Sequence, residues 1–267
     1  MSEGTSHTST TIANNVIVAT DIRHRYSGVL ALDGLSIAIA SGSFAAVLGP
    51  NGAGKSTLAQ ILTGMLKQSS GTVSYAGVPD GKARPGEGMI RSGICLIAEG
   101  RRLFGQLTIE ENLILGGYGA GLKRKEIRDR MEEVVPTLPA ALREGMRTRQ
   151  AGMLSGGERQ MLALARALMA DPRVMIIDEP SMGLAPILID KVYEVLKALN
   201  KRGVTILVVE QQATHAIVAA DTVHVLERGK LIYSGAAKGD AATQALRAGY
   251  VGAGGKKRSV ESSAVRA

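Results

Sequence analysis

Gly49-Pro50-Asn51-Gly52-Ala53-Gly54-Lys55-Ser56-Thr57 is the stretch on which the reading of this chain turns. It follows an apolar run, Phe44–Leu48, and opens a helical pattern over 54–66. The result is a strand, a glycine-rich turn and a helix with the spacing G-x-x-x-x-G-K-[ST] in full. Glycines let successive backbone N–H groups turn towards one point and approach an anion closely. The helix start adds the positive end of its dipole. In such a loop Lys55 bridges β- and γ-phosphate oxygens, and the Ser56 hydroxyl ligates Mg²⁺. By itself the loop says nucleoside triphosphate, and does not say what the energy does.

A second signal lies downstream. Val174-Met175-Ile176-Ile177-Asp178-Glu179 is an apolar strand ending in two carboxylates. At the carboxyl end of a parallel strand they face the same crevice as the phosphate loop. Asp178 can hold Mg²⁺ through water, and Glu179 can polarise the attacking water near the γ-phosphate. Strand neighbours point to opposite faces, which allows adjacent acids two roles. Alone, the pair is as readily a solvated strand end; behind a phosphate loop it reads as a site.

Leu154-Ser155-Gly156-Gly157-Glu158 precedes a helix over 156–170. Ser155 is a natural N-cap, and the two glycines expose free N–H groups. By itself this is an ordinary capped helix. It is also a second anion-binding helix start on one chain, which a single triphosphate does not need. A head-to-tail dimer accounts for both, with the phosphate loop of one subunit and this loop of the other enclosing one ATP.

Taken in order, loop, signature and acidic strand resemble the ATP-binding cassette (ABC) ATPases, whose signature LSGGQ here reads LSGGE. The resemblance covers roughly 16–235. It implies an α/β P-loop NTPase core of RecA-like type, with a small antiparallel β subdomain near the N-terminus and a helical subdomain over about 100–155. It also implies cofactors ATP and Mg²⁺, with Glu179 and Gln211 catalytic. Tyr26 falls where the family stacks an aromatic on adenine; the alternative is a surface tyrosine. Glu99 stands where the family has a Gln that senses the γ-phosphate and metal. Gln211 replaces the family's His, and Ala185 its usual Asp. Gln211 cannot carry a titrating proton but can still hydrogen-bond a phosphate oxygen.

The runs Glu99-Gly100-Arg101-Arg102-Leu103-Phe104, Leu107-Thr108, Glu110-Glu111-Asn112-Leu113, Gly183-Leu184-Ala185-Pro186 and Val209-Glu210-Gln211 narrow the resemblance. They are similar to the ATPases of branched-chain amino acid importers, and closest to the shorter of that system's two ATPase subunits. Relatives in the group move urea, amides or other amino acids. The implied partners are a second ATPase subunit (identical or a sister), two membrane-spanning permease subunits and, indirectly, a solute-binding protein. The implied place is cytoplasmic, peripheral on the inner face of the cell membrane.

Composition sets wider limits. Of 267 residues 45% are hydrophobic but only 3% aromatic, so the core is expected to be aliphatic. The +8 formal charge could favour nucleic acid, anionic lipid or nucleotide phosphates and does not choose among them. The one cysteine, Cys95, lies in an apolar run and reads as a small buried hydrophobe. No run approaches the ~20 apolar residues of a membrane span. Residues 1–14 and 252–267 read as flexible tails, the second basic at Lys256-Lys257-Arg258, which reads as a solvated tail with an anionic leaflet as the alternative partner. Between them, 15–251 reads as one ATPase domain.

Expected strands are Val16–Thr20, Leu35–Ala40, Phe44–Leu48, Thr72–Tyr75, Ile94–Ala98, Val174–Ile177, Val204–Val209, Thr222–Leu226 and Lys230–Tyr233. Further helices are expected over 108–117, 122–136 and 186–200. A DNA-repair or chromosome-organising ATPase would carry a long coiled coil between phosphate loop and signature. Here Lys55 and Ser155 are 100 positions apart, without sustained heptads. A ribosome-associated relative would need two cassettes. Glu179 argues against a module that binds ATP without hydrolysis. No nucleic-acid partner is expected, and His7, His24, His215 and His224 have no metal-ligand spacing.

Overall fold

The computed structural model describes residues 15–77 and 87–251. The two tails of the sequence reading, including Lys256–Arg258, lie outside the described residues. Nine strands and nine α-helices occur among those described.

The central strands lack polar alternation because both faces are covered. Strands β3 (Phe44–Leu48), β6 (Val174–Asp178) and β7 (Thr205–Glu210) are buried at every position. Their side chains still alternate between two cores. Phe44, Ala46, Leu48, Met175, Ile177, Ile206 and Val208 join one cluster. Ala45, Val47, Val174, Ile176, Leu207 and Val209 join the other. The first core takes helices α3 (Ile109–Gly119), α6 (Gly156–Leu168) and α7 (Pro186–Lys201). The second takes α1 (Lys55–Leu62) and an antiparallel sheet near the N-terminus. Phe44 stacks on Tyr193 with centroids 6.5 Å apart, an aromatic contact in cores that are otherwise mostly aliphatic.

The main sheet has the order β5-β6-β7-β3-β8-β9, where β5 is Ile94–Ile97, β8 Thr222–Glu227 and β9 Lys230–Ala236. All pairs are parallel except β8 with β9. Register brings the functional strand ends to one edge: Leu48 pairs with Glu210, and Asp178 with Val209. The smaller sheet has the order β2-β1-β4, with β1 Asn15–Tyr26, β2 Val29–Ala40 and β4 Ser70–Tyr75.

Some elements differ from the sequence reading. Strands β1 and β2 extend to a tight hairpin at Ser27–Gly28, well beyond Thr20 and before Leu35. Register shifts between Ala19 and Ile22 break the alternation there, so the charged stretch Arg23–Arg25 did not read as strand. Short α2 (Glu87–Arg91) and terminal α9 (Asp240–Val251), which packs on β8 and β9, were not foreseen. The helix over 54–66 ends at Leu62, and Glu210 completes the strand expected to stop at Val209.

The stretch 100–155 contains no named strand. Besides α3 it holds α4 (Arg124–Val134) and α5 (Ala140–Glu144), with one isolated bridge, Thr108 to Gln150. A capping box fixes the start of α3: Thr108 Oγ1 accepts from Glu111 N–H at 3.2 Å, and Glu111 Oε2 from Thr108 N–H at 2.7 Å. Cys95 is buried, and burial pushes its thiol up to about 12.

Candidate nucleotide site

The phosphate loop leaves β3 and turns into α1 through Gly54, whose φ of 103° a side chain would rarely adopt. A methyl there would lie 2.5 Å from the Ala31 carbonyl oxygen. A methyl on Gly49 would overlap the Leu226 carbonyl. These two glycines are thus fixed by packing as well as by the turn. Lys55 opens α1 and is 5% exposed. Its ammonium lies 3.2 Å from Pro50 O and 3.2 Å from Glu179 Oε1.

Asp178 ends β6 and hydrogen-bonds the Ser56 side chain. Its Oδ1 is buried with no hydrogen-bond partner. Burial raises the Asp178 carboxyl above its ordinary range, the Ser56 bond opposes this, and the charges of Glu179 and Glu99 add to it. Glu179 lies just past the strand at φ 51°, a left-handed conformation for a non-glycine residue. That turn separates the two acids, rather than strand alternation, because the strand is already over. Two backbone contacts, from β7 and from the residue that follows it, fix Glu179. Its N–H donates to Val209 O at 2.8 Å, and its Oε2 accepts from Gln211 N–H at 3.2 Å.

These elements border a cleft of about 530 Å³, a size suited to a small-molecule ligand. Tyr26, Asn51, Gly52, Gly54, Lys55, Ser56, Thr57, Glu99, Glu179 and Gln211 all line it. Tyr26 is 45% exposed at the end of β1 and meets the His24 ring edge-on at 4.6 Å. Gly49, Pro50 and Ala53 belong to the loop but do not line the cleft. A smaller adjoining hollow of about 230 Å³ takes in Ser56, Glu99 and Asp178. Among the described residues no group of three or more His, Cys, Asp or Glu could hold a metal alone. The oxygens of Ser56, Asp178 and Glu99, with one buried Asp178 oxygen unpartnered, suit a hard cation that completes its shell with phosphate and water.

Leu154, Ser155, Gly156, Gly157 and Glu158 do not line this cleft. Ser155 caps α6: its Oγ accepts from Glu158 N–H at 3.3 Å, and Glu158 Oε2 accepts from Ser155 N–H at 2.9 Å. Arg149 pairs with Glu158 at 2.9 Å. That capping bond is the largest cause holding the Glu158 carboxyl below its usual range. Leu154 is buried, and a methyl on Gly157 would come within 2.6 Å of Leu188 Cδ1. Gly157 therefore also sets the approach of α6 to α7.

Sequence reasoning missed Arg101 and Glu210 as site residues. Arg101, at φ 63°, donates to Gln160 Oε1 at 2.7 Å and to Met182 O at 3.0 Å. It thereby ties the segment after Glu99 to the signature helix. Glu210 closes an apolar strand beside Gln211, fully buried. Its pairing with Leu48 and its burial come from the fold, and the sequence shows only an acid at a strand end.

Among the described residues no helix is long and apolar enough to cross a membrane. The family model for the ABC transporter matches residues 32–182. The high-affinity branched-chain amino acid transport ATP-binding protein BraG of Pseudomonas aeruginosa is 40% identical over 78% of this chain and 87% of its own length. The Nod factor export ATP-binding protein I of Mesorhizobium japonicum is 36% identical over 79% of this chain and 60% of its own. Among solved structures, the ADP conformation of an ATP-binding cassette of an ABC transporter superposes with a TM-score of 0.78. It has 26% identity and covers 89% of this chain and 99% of that one. A phosphate loop, an acidic strand end and a capped second helix start, set on this fold and matched by these relatives, make the chain a member of the ABC transporter family, an ATP-binding cassette that couples ATP hydrolysis to transport.

Proposed function

We propose that this cassette powers an importer of branched-chain amino acids or chemically related solutes, working as one of a pair of ATPase subunits beneath two membrane-spanning permease subunits. The observation that carries the paired mechanism is the placement of the two helix starts. The one at Gly54 opens on the cleft, while the one at Ser155 lies away from it. A partner subunit's signature loop then completes the phosphate end of each cleft. The import reading is supported by the 40% identity with BraG and by the run Glu99–Phe104. The Nod factor relative makes export, or another solute, the competing outcome. The working place is peripheral, at the inner face of the cell membrane, with a solute-binding protein supplying the importer.

In this reading Tyr26 stacks on the adenine and the loop N–H groups hold the phosphates. Ser56, Asp178 and Glu99 hold Mg²⁺, which when bound neutralises phosphate charge. Lys55 is shared: a phosphate brought to its ammonium competes with Glu179, whose released carboxylate orients the attacking water. Gln211 fixes Glu179 through its backbone and offers its amide to phosphate.

Two experiments test the reading. Purified Glu179→Gln should bind ATP and dimerise without turnover; full turnover would remove Glu179 from catalysis. Cells lacking this chain should take up less labelled leucine, isoleucine and valine. The wild-type chain should restore uptake and Lys55→Ala should not. Unchanged uptake without the chain would overturn the solute assignment.

A further inference from the structure

Glu210 is buried at the edge of the site with 0% exposure, and nothing in the mechanism above uses it. Its backbone carbonyl accepts from Gly49 N–H at 3.3 Å, at the root of the phosphate loop. Its Oε1 accepts from Ser181 N–H at 2.9 Å and from the Tyr193 hydroxyl at 3.4 Å. Its Oε2 is buried without a hydrogen-bond partner. The residues on either side of it hold Glu179: Val209 O accepts from the Glu179 N–H, and Gln211 N–H donates to the Glu179 carboxylate.

A fully buried carboxyl beside a second carboxylate at the cleft wall, with its free oxygen orphaned, is satisfied when it carries a proton. Burial pushes Glu210 up to about 7; the Ser181 bonds oppose the shift and the Glu179 charge adds to it. Burial also holds the Tyr193 phenol well above its ordinary range, so it stays a donor. The groups facing Glu210 come from several elements. Glu179 follows β6 and is paired with Lys55 on α1. Tyr193 lies on α7. Behind it His215 on α8 (Ala213–Ala219) stacks at 5.8 Å and stands 3.3 Å from Asp190.

We propose that Glu210 is a positioning residue for hydrolysis: as the neutral acid it shares the proton on its free oxygen with the Glu179 carboxylate, while its other oxygen fixes the backbone at Ser181. The chain thus keeps a titratable group beside Gln211, where a glutamine side chain offers none. The proposal rests on the role assigned to Glu179 above.

The pH dependence of kcat/KM for MgATP tests it, since that profile reports groups of the free enzyme. Below 7 the acid is neutral. Above 7 it ionises against Glu179, and activity should fall about tenfold per unit as pH rises. Glu210→Gln keeps the acceptor for Ser181 and a donor for Glu179 but cannot ionise. It should retain activity within about threefold on the acid side and lack the alkaline fall. Glu210→Ala should lose about tenfold at every pH.

A second readout needs no turnover. The infrared carbonyl band of a protonated glutamic acid should be present in the wild type below 7, fade as pH rises, and be missing in Glu210→Gln. The same profile and the same band in Glu210→Gln as in the wild type would overturn the proposal. If instead Glu179→Gln turns over at the wild-type rate, the role of Glu179 fails, which the band measured in Glu210→Gln keeps separate.

Discussion

Replacing Gly54 by alanine tests whether the phosphate loop is held by packing as tightly as the geometry implies. Two costs add. At φ 103° and ψ 8° an L-residue is strained by about 1–3 kcal/mol. The new methyl also lies 2.5 Å from Ala31 O and 2.9 Å from Leu32 Cδ2, inside the 3.0 Å that real Cβ atoms keep. Half of that overlap is with backbone, which cannot rotate away, so overpacking adds about 1–3 kcal/mol. The sum is about 4 kcal/mol. At about 2–4 °C per kcal/mol for a domain of this size, Gly54→Ala should melt about 8–16 °C lower.

Any remedy moves the Gly54 N–H and the start of α1, so ATP affinity should fall with stability. The control is Gly119, which ends α3 with nothing within 4 Å of an added methyl. Gly119→Ala should gain about 0.5 kcal/mol from reduced backbone entropy in the unfolded chain. Differential scanning fluorimetry with and without MgATP reads both variants. If Gly54→Ala melts with the wild type, the claim that Ala31 and Leu32 enforce the loop is wrong.

Ser155→Ala removes the side-chain half of the α6 capping box and should cost about 1 kcal/mol in urea unfolding. Turnover should be lost while ATP binding to the isolated subunit is kept; a loss of binding there would place Ser155 in the chain's own cleft. His224 is buried against Ser234, and burial lowers it from 6.5 to about 4. Because its folded value is depressed, its contribution is complete above 6.5 and lost as pH falls towards 4, by about 3 kcal/mol. Glu210 has the opposite slope between 4.5 and about 7, so the comparison is made with His224→Gln, whose stability should fall less on acidification.

Much of this molecule was readable before its structure. The strands β3, β6 and β7 announce themselves as uninterrupted apolar runs, because a parallel sheet covered on both faces has no polar side. The loop, the acidic pair and the signature combine residue types with spacings that few other purposes require. What stayed hidden depends on three-dimensional neighbours. The far halves of β1 and β2 carry Arg23, His24, Arg25 and Asp33, and bulges disturb the period-two pattern that would have exposed them. The left-handed turn at Glu179 has no residue signature, since glutamate rarely adopts it. Glu210 passed unnoticed because a strand-end acid is ordinarily solvated. Only the fold shows Tyr193 and Ser181 closing over it.

Charge explains why these pieces belong together. Glu99, Asp178, Glu179 and Glu210 gather at one end of the cleft, while Lys55 is the only cation among the described residues lining it. Two like charges 4 Å apart repel by about 4 kcal/mol at the effective dielectric of a protein surface. A polyanionic phosphate chain added to ionised forms of all four groups would meet several such terms, and one ammonium cannot cancel them. The fold supplies three counterweights that act without side-chain charge: the N–H groups of the glycine loop, the start of α1, and a proton kept on the most deeply buried acid. The remaining excess sits where Ser56, Asp178 and Glu99 converge, and that is the physical ground for the proposal of a divalent cation where nucleotide and acids meet.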